Sequence, residues 1–129
     1  MKPDVSIVVP AFEEQERLGD SIHKILTYLA ESGVNGELIV VDDGSGDATA
    51  ETARLACAKF PGTNTRVIRY EENRGKGFAV KTGLLASSAE TALFSDADLS
   101  TPIEEMHKLI DPIVNGDFDV TFGSRALDR

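Results

Sequence analysis

Short apolar runs alternate with longer amphipathic stretches along the chain. Five runs are mainly apolar and have the length of buried strands: residues 5–9, 38–41, 67–70, 91–95 and 120–123. Between the first two runs, apolar residues recur at helical spacing as Leu18, Ile22, Ile25, Leu26 and Leu29, and Gly33 ends the pattern. Strands that alternate with helices predict right-handed βαβ units, and hence an α/β fold with a mostly parallel sheet covered by helices on both faces.

Helix signals divide the rest of the chain. A second helix is predicted over residues 49–59, with Ser45 or Asp47 as its cap. A third is predicted to run through Val80, Leu84 and Leu85. A fourth begins at Thr101, where threonine, proline and a following glutamate form a capping box with proline at the first helical position. These elements fit one domain spanning residues 1–129.

Composition narrows the classes of protein to which the chain can belong. Its 13 lysine and arginine residues against 22 aspartate and glutamate residues give a formal net charge of -9, which argues against a broad nucleic-acid-binding surface. Cys57 is the only cysteine, so an intrachain disulfide is excluded, and its helical neighbours favour a buried apolar role. The apolar runs are too short to span a bilayer and no signal-peptide core precedes the first strand, which together predict a cytoplasmic location.

Carboxylates gather at the predicted strand ends, where ligands bind in open parallel sheets. Glu13 and Glu14 follow the first strand, Asp42 and Asp43 the second, and Asp96 and Asp98 the fourth. Because these charges repel one another, a divalent cation with oxygen ligands is predicted, held by Asp96 and Asp98. Single acidic residues in such loops also have structural roles. One of Asp42 and Asp43 can order the turn into the second helix, and Glu13 and Glu14 can stabilise the N-terminus of the helix that follows them.

Residues 73–77 read Asn-Arg-Gly-Lys-Gly and precede the third predicted helix. Two glycines and two bases at a helix N-terminus form a potential anion site. The segment does not match the Walker phosphate-binding pattern, because Tyr70 occupies the position of a required glycine. It does not match the dinucleotide-binding pattern either, because Val80 occupies the position of another required glycine. A flexible turn with solvated bases is the alternative interpretation of this segment.

Taken in order, these motifs resemble glycosyltransferase family two, the nucleotide-sugar enzymes of the GT-A fold. Residues 5–17 are similar to the family's opening strand and loop, residues 41–45 to its base-binding turn, and residues 96–98 to its metal-binding Asp-x-Asp. Within the family, three segments resemble the polyprenyl-phosphate branch, especially dolichyl-phosphate glucosyltransferases: residues 73–80, 96–102 and 123–125. The resemblance covers nearly the whole chain, and four motifs in order at successive strand ends are highly specific.

The resemblance implies a Rossmann-like GT-A fold and a set of site residues. Those implied to contact the nucleotide sugar are Pro10, Ala11, Glu13, Asp43, Gly75, Lys76, Asp96, Ala97 and Asp98. Pro10, Ala11, Glu13 and Asp43 would line the nucleobase and ribose pocket. Asp96 and Asp98 would bind Mg2+ or Mn2+, and Asp98 and Arg125 would act in catalysis, Arg125 by positioning the acceptor phosphate.

The resemblance also implies partners. The donor would be a UDP-sugar, UDP-glucose in the first place, rather than a GDP-sugar, and the acceptor of the full-length enzyme would be a polyprenyl or dolichyl phosphate. The full-length enzyme would then work at the cytoplasmic face of a membrane.

Two departures from the family pattern qualify these expectations. The family usually has asparagine after the aromatic residue of its opening loop, where this chain has Glu13. Family members also continue well past residues 123–125, whereas this chain ends at Arg129. We therefore expect a truncated domain without the C-terminal acceptor half, weak or absent transfer activity, and self-association through an uncovered sheet edge.

Three other functions compete with a glycosyltransferase. A non-catalytic nucleotide-sugar-binding remnant would share the site without turnover. A haloacid-dehalogenase-type phosphatase would use Asp96 as nucleophile and Asp98 as proton shuttle. A signalling receiver fits the size and charge, but its acid pair should follow the first strand, whereas here the pair follows the second.

Overall fold

The computed structural model describes residues 2–97. Within them, four parallel strands form one sheet in the order β3-β2-β1-β4: β1 (Val5–Ala11), β2 (Gly36–Asp43), β3 (Asn64–Tyr70) and β4 (Ala92–Phe94). The helices that connect them are α1 (Leu18–Ser32), α2 (Thr49–Ala58) and α3 (Lys76–Ala86). This alternation confirms the predicted α/β fold with a parallel sheet. The predicted helix at Thr101 and strand at residues 120–123 lie outside the described residues.

Helices cover both faces of the sheet. Side chains of a strand point alternately to opposite faces, so β1 and β2 each contribute to two cores. One core contains the predicted apolar face of α1 together with Ala53, Ala56 and Cys57 of α2. The other is smaller and joins Val8, Ile39 and Val41 to Ala79 of α3. Cys57 is free and buried, as its helical neighbours predicted.

The first strand continues through Pro10 to Ala11, two residues beyond the predicted apolar run 5–9. Ser6 and Val8 form their main-chain hydrogen bonds toward the β4 side, with Thr91 and Ser95. In a parallel strand every second residue faces the same neighbour, so Pro10 also faces that side. The last residue pair between β1 and β4 is Val8 with Phe94, so Pro10 lies beyond the residues that pair with β4. Its missing N–H therefore costs no hydrogen bond to β4, and the strand continues because Pro10 still pairs with Val41 of β2.

The second strand is longer than its apolar run. Asp42 and Asp43 were expected to follow the strand, but they are its last two residues and pair with Arg69 and Tyr70 of β3. Their main-chain groups therefore belong to the sheet. Their position fixes both carboxylates at its carboxyl edge.

The third helix packs by close approach rather than by a broad apolar face. The predicted course of the helix through Val80, Leu84 and Leu85 is confirmed. Its buried residues are Ala79 and Gly83, whereas Leu84 and Leu85 are exposed. A Cβ atom added at Gly83 would lie 2.3 Å from Val8 Cγ1, so the helix backbone sits directly on the sheet. This proximity leaves little room for large side chains between α3 and β1.

Helix ends follow the sequence only in part. Gly33 ends α1 in the left-handed conformation with φ 75°, as predicted. The cap predicted for α2 at Ser45 or Asp47 is wrong, because the N-cap residue is Ala48, which makes no side-chain cap hydrogen bond. Asp47, one residue earlier, accepts a hydrogen bond from the Thr49 backbone N–H at 3.0 Å. None of α1, α2 and α3 combines the length and the apolar character that crossing a membrane requires.

Candidate nucleotide-sugar site

A cavity of about 280 Å³ opens at the carboxyl edge of the sheet. It is lined by Pro10, Ala11, Phe12, Glu14, Asp43, Lys76, Ala79, Asp96 and Ala97. In the order β3-β2-β1-β4, β2 and β3 lie on one side of β1 and β4 lies on the other, so the strand order reverses between β1 and β4. Ligands of open α/β sheets usually bind in the crevice at such a reversal. The cavity contains residues that follow both of these strands.

Most of the predicted site residues in the described part of the chain converge on this cavity. Pro10, Ala11, Asp43, Lys76, Asp96 and Ala97 all line it. Glu13 and Gly75 were predicted with them but are not among the lining residues. Asp98 and Arg125, the predicted metal ligand and acceptor-binding residue, lie outside the described residues. Phe12, Glu14 and Ala79 line the cavity but were not among the predicted site residues.

The conformation of Glu13 explains why its neighbour lines the cavity instead. Glu13 has φ 52°, which is the left-handed region that L-residues other than asparagine and aspartate seldom adopt. Its N–H donates to Ser45 Oγ at 2.8 Å, and the Glu14 N–H donates to Thr49 Oγ1 at 3.0 Å. These bonds tie the loop after β1 to the loop after β2, and the turn at Glu13 brings Glu14 to the cavity wall.

The two aspartates at the end of β2 hold different loops. Asp42 Oδ1 accepts the Ser45 N–H at 3.0 Å, which closes the turn after β2, and Arg69 Nε lies 3.5 Å from Asp42 Oδ2. Asp43, which is 4% exposed, faces the segment between β3 and α3 instead. The turn-forming role expected for one member of the pair is thus observed for Asp42.

Asp43 accepts hydrogen bonds from that segment on both carboxylate oxygens. Its Oδ1 accepts the Tyr70 hydroxyl at 2.5 Å and the Arg74 N–H at 2.9 Å. Its Oδ2 accepts the Asn73 Nδ2 and the Gly75 N–H, each at 2.9 Å. Burial, together with the neighbouring Asp43 carboxylate, raises the pKa of the Tyr70 phenol, which keeps this donor protonated.

Lys76 and Asp96 form an ion pair at the cavity. The Lys76 ammonium contacts Asp96 Oδ1 and lies 5.8 Å from the centre of the Phe94 ring. The Lys76 side chain is 56% exposed and that of Asp96 is 19% exposed, so the pair sits at the boundary between the cavity and solvent. A cation from α3 therefore lies beside a carboxylate that follows β4.

Carboxylates in the described part of the chain do not form a metal site by themselves. No three His, Cys, Asp or Glu side chains within residues 2–97 gather closely enough to hold a metal ion. Asp96 nevertheless offers a hard oxygen donor on the cavity wall. Mg2+ is commonly held by one or two carboxylates completed by water and substrate phosphates, so a donor set centred on Asp96 fits such an ion.

Comparison with known proteins identifies the family. The model of the family described as "Glycosyl transferase family 2" matches residues 6–128. The chain belongs to glycosyl transferase family 2. This membership decides against the phosphatase and receiver alternatives, and the strand order also differs from the 2-1-3-4-5 order typical of receivers.

Curated relatives include dolichyl-phosphate and dolichol-phosphate sugar transferases. The chain is 35% identical to the dolichyl-phosphate beta-glucosyltransferase of Dictyostelium discoideum over 95% of this chain and 40% of that protein. It is 38% identical to the dolichol-phosphate mannosyltransferase of Pyrococcus furiosus over 95% of this chain and 33% of the relative. The chain thus spans well under half the length of these relatives.

Solved structures similar to this chain have the GT-A fold. Glucosyl-3-phosphoglycerate synthase of Mycobacterium tuberculosis, in complex with Mn2+, UDP-glucose and phosphoglyceric acid, is 29% identical with a TM-score of 0.68. The match covers 89% of this chain and 40% of that one. A mannosyltransferase of Pyrobaculum calidifontis in complex with GDP-Man and Mn2+ is 25% identical with a TM-score of 0.68, over 85% of this chain and 32% of that one. The Rossmann-like GT-A fold is therefore shown.

Proposed function

We propose that residues 1–129 form the donor-binding part of a glycosyltransferase, and that the cavity between β1 and β4 binds a nucleotide-diphosphate sugar with a divalent metal. In this proposal the full-length enzyme transfers the sugar to a polyprenyl or dolichyl phosphate, because the relatives that the chain matches include dolichyl-phosphate and dolichol-phosphate sugar transferases. The observation that carries the proposal is the meeting of Lys76, Asp96 and the N-terminus of α3 at one cavity in a family 2 chain.

The start of α3 suits a diphosphate. The N-terminus of this helix has no side-chain cap hydrogen bond from the described residues, and its first intrahelical bond runs from Ala79 N–H to Gly75 O. The N–H groups of Lys76, Gly77 and Phe78 therefore remain available to an anion, and the helix dipole adds to their attraction. The Lys76 ammonium supplies a full positive charge at the same place.

Asp96 suits the metal that a nucleotide-sugar diphosphate requires. In the proposal Asp96 and Asp98 hold Mg2+ or Mn2+, and the bound ion neutralises charge on the nucleotide leaving group. Asp98 and Arg125 keep the roles that the resemblance implies, at the metal and at the acceptor phosphate respectively.

The end of β1 suits the nucleoside. Pro10, Ala11 and Phe12 give the cavity an apolar wall on the β1 side, against which a base can pack. We propose UDP-glucose as the donor because relatives include glucosyltransferases and a UDP-glucose complex. The GDP-Man complex among the similar structures makes GDP-mannose the alternative to test beside it.

Calorimetric titration of the 129-residue chain with UDP, GDP, UDP-glucose and GDP-mannose, each with and without Mn2+, tests the proposal. We expect one nucleotide series to bind, more tightly with Mn2+, and Asp96→Asn to weaken that binding by about tenfold or more. Asp20→Asn is the matched control, because Asp20 lies on α1 in an exposed pair with Lys24. The absence of binding by any nucleotide, or equal losses in both variants, would contradict a donor site at Asp96.

A further inference from the structure

We infer that Asp43 is a positioning residue of the proposed donor site: its carboxylate holds residues 73–75 against the end of β2 and thereby fixes the start of α3 and the place of Lys76. This inference rests on the proposed function. It assigns Asp43 a different task from the nucleobase contact that the resemblance implies.

The acceptor capacity of Asp43 is occupied by the chain itself. A carboxylate offers about four lone-pair positions, two on each oxygen. Each oxygen of Asp43 accepts two hydrogen bonds, from Tyr70 and Arg74 on one and from Asn73 and Gly75 on the other. Asn73 Nδ2 also donates to the Asp43 carbonyl oxygen at 3.0 Å. Although Asp43 lines the cavity, a ligand would have to break one of these bonds to engage its carboxylate.

The bonded segment leads directly to Lys76. Gly75 has φ 97° and immediately precedes α3, and its carbonyl accepts the Ala79 N–H of the first helical turn. Lys76, the first residue of α3, contacts Asp96 across the cavity. The position of Asp43 therefore determines where the ammonium and the first helical N–H groups lie relative to Asp96.

Close packing supports the same segment from two sides. A Cβ atom added at Gly44 would lie 2.5 Å from the Asn73 backbone nitrogen, so the turn after β2 touches the segment's backbone. On the other side, the Tyr70 and Phe78 rings meet edge to face with centroids 5.4 Å apart, and the Arg74 guanidinium lies 5.2 Å from the Phe78 centroid. The segment is thus anchored at Asp43 and confined around it.

Hydrogen exchange of the ligand-free chain tests the inference first. Asp43→Asn keeps the side-chain shape but replaces one acceptor oxygen with an amide that meets N–H donors. We expect the Arg74 and Gly75 amides to exchange about tenfold faster or more in this variant. Glu37→Gln, the matched change at the other end of β2, should instead affect Ser88, whose N–H donates to Glu37. Unchanged exchange at Arg74 and Gly75 in Asp43→Asn would overturn the inference.

Ligand titration then distinguishes positioning from base contact. With Mn2+ present, Asp43→Asn and Lys76→Met are each expected to weaken UDP about tenfold, and the double variant to lose little more, because both changes remove the same contact. The affinity for uridine, which has no phosphate, should not change in Asp43→Asn. A loss of uridine affinity in Asp43→Asn would overturn the inference in favour of a direct base contact. So would a double variant whose loss of binding free energy for UDP equals the sum of the losses in the two single variants. GDP and guanosine replace these probes if the guanine nucleotide is the one that binds.

Two further results keep the inference separate from the proposed function. Tyr70→Phe removes one of the four hydrogen bonds to the Asp43 carboxylate and replaces Asp43→Asn as the test variant if the latter does not fold. The Arg74 amide should exchange faster in Tyr70→Phe, by a smaller factor than in Asp43→Asn. Unchanged exchange at Arg74 would count against the inference. If the wild-type chain binds neither UDP nor GDP, the proposed function fails, while the exchange data still decide whether Asp43 holds the segment.

Discussion

The two ends of β2 carry similar buried carboxylates with different surroundings. Glu37, near the amino edge, is 1% exposed and accepts hydrogen bonds from Ser6, Asn64 and Ser88. These bonds hold the segment that follows α3, just as Asp43 holds the segment that precedes it. The third helix, which buries only Ala79 and Gly83, is thus fastened at both ends by carboxylates of one strand.

The difference between the ends lies in the backbone and the cavity. Four of the described residues have a positive φ angle. Glu13, Gly44 and Gly75 lie at the Asp43 end of β2, and the fourth, Gly33, lies at the end of α1. The cavity and the Lys76–Asp96 pair also lie at the Asp43 end. Unusual backbone conformations concentrate at functional sites, where they aim groups at a ligand. We therefore propose that Glu37 contributes to stability, while Asp43 contributes to both stability and the site.

The largest effect on stability is expected from Glu37→Ala. It leaves the buried hydroxyl of Ser6 and the part-buried N–H of Ser88 without their acceptor, so the free energy of unfolding should fall by about 3 kcal/mol. Nucleotide affinity, measured where the variant is still folded, should stay within about twofold of wild type. Urea denaturation and calorimetry measure the two quantities. A selective loss of nucleotide affinity would erase the proposed difference between the two ends.

Gly44→Ala should affect both stability and the site. The added methyl group would meet the backbone of residues 72–73 and would have to adopt φ 72°, so we expect a loss of about 2–3 kcal/mol and markedly weaker nucleotide binding. Gly62→Ala is the control, because nothing lies within 4 Å of its added Cβ. Equal stability of the two variants would show that residues 72–73 yield easily.

The Tyr70 hydroxyl should make stability depend on alkaline pH. Because folding raises the phenol pKa above its ordinary value of 10.0, its contribution is complete below about pH 10 and declines as the pH rises further. Tyr70→Phe should therefore cost about 1 kcal/mol at pH ~9 and almost nothing near pH ~11. Urea denaturation at both pH values measures this difference. A cost independent of pH would mean that the phenol titrates normally.

The smallest effect is expected at Glu13, and it is a gain. Asparagine tolerates the left-handed conformation better than glutamate, and the Glu13 side chain is exposed. Glu13→Asn should therefore raise the free energy of unfolding by about 0.5 kcal/mol, measured by urea denaturation. A loss of stability would show that the carboxylate makes a contribution of its own.

The sequence predicted the fold well because the apolar periods of β1, α1 and β2 are local signals. It also identified six of the nine residues that line the cavity, since parallel strands bring their carboxyl ends to one edge. It did not predict the partners of Asp43 and Glu37, which lie 27 or more residues away from them along the chain. Those contacts depend on strand register and on how closely α3 approaches the sheet.

Two local features could not be predicted from the sequence. Glu14 rather than Glu13 lines the cavity because a left-handed turn at Glu13 reorients the loop, and a contact of Glu13 with the nucleotide stays a prediction. Leu84 and Leu85 are exposed because the close contact of Gly83 with Val8 sets the buried face of α3. A glycine contributes no apolar signal, so a helix that packs through one is poorly described by its hydrophobic pattern.

The most direct test of the donor site is a map of backbone amide signals by nuclear magnetic resonance while the nucleotide found to bind is added with Mg2+, and then with paramagnetic Mn2+. We predict shifts at residues 11–14, 43, 75–79 and 96–97, and broadening by Mn2+ that is strongest near Asp96. Amides near Glu37, Asn64 and Ser88 should stay unaffected. Shifts or broadening centred on that opposite edge, with the carboxyl edge unchanged, would contradict the account.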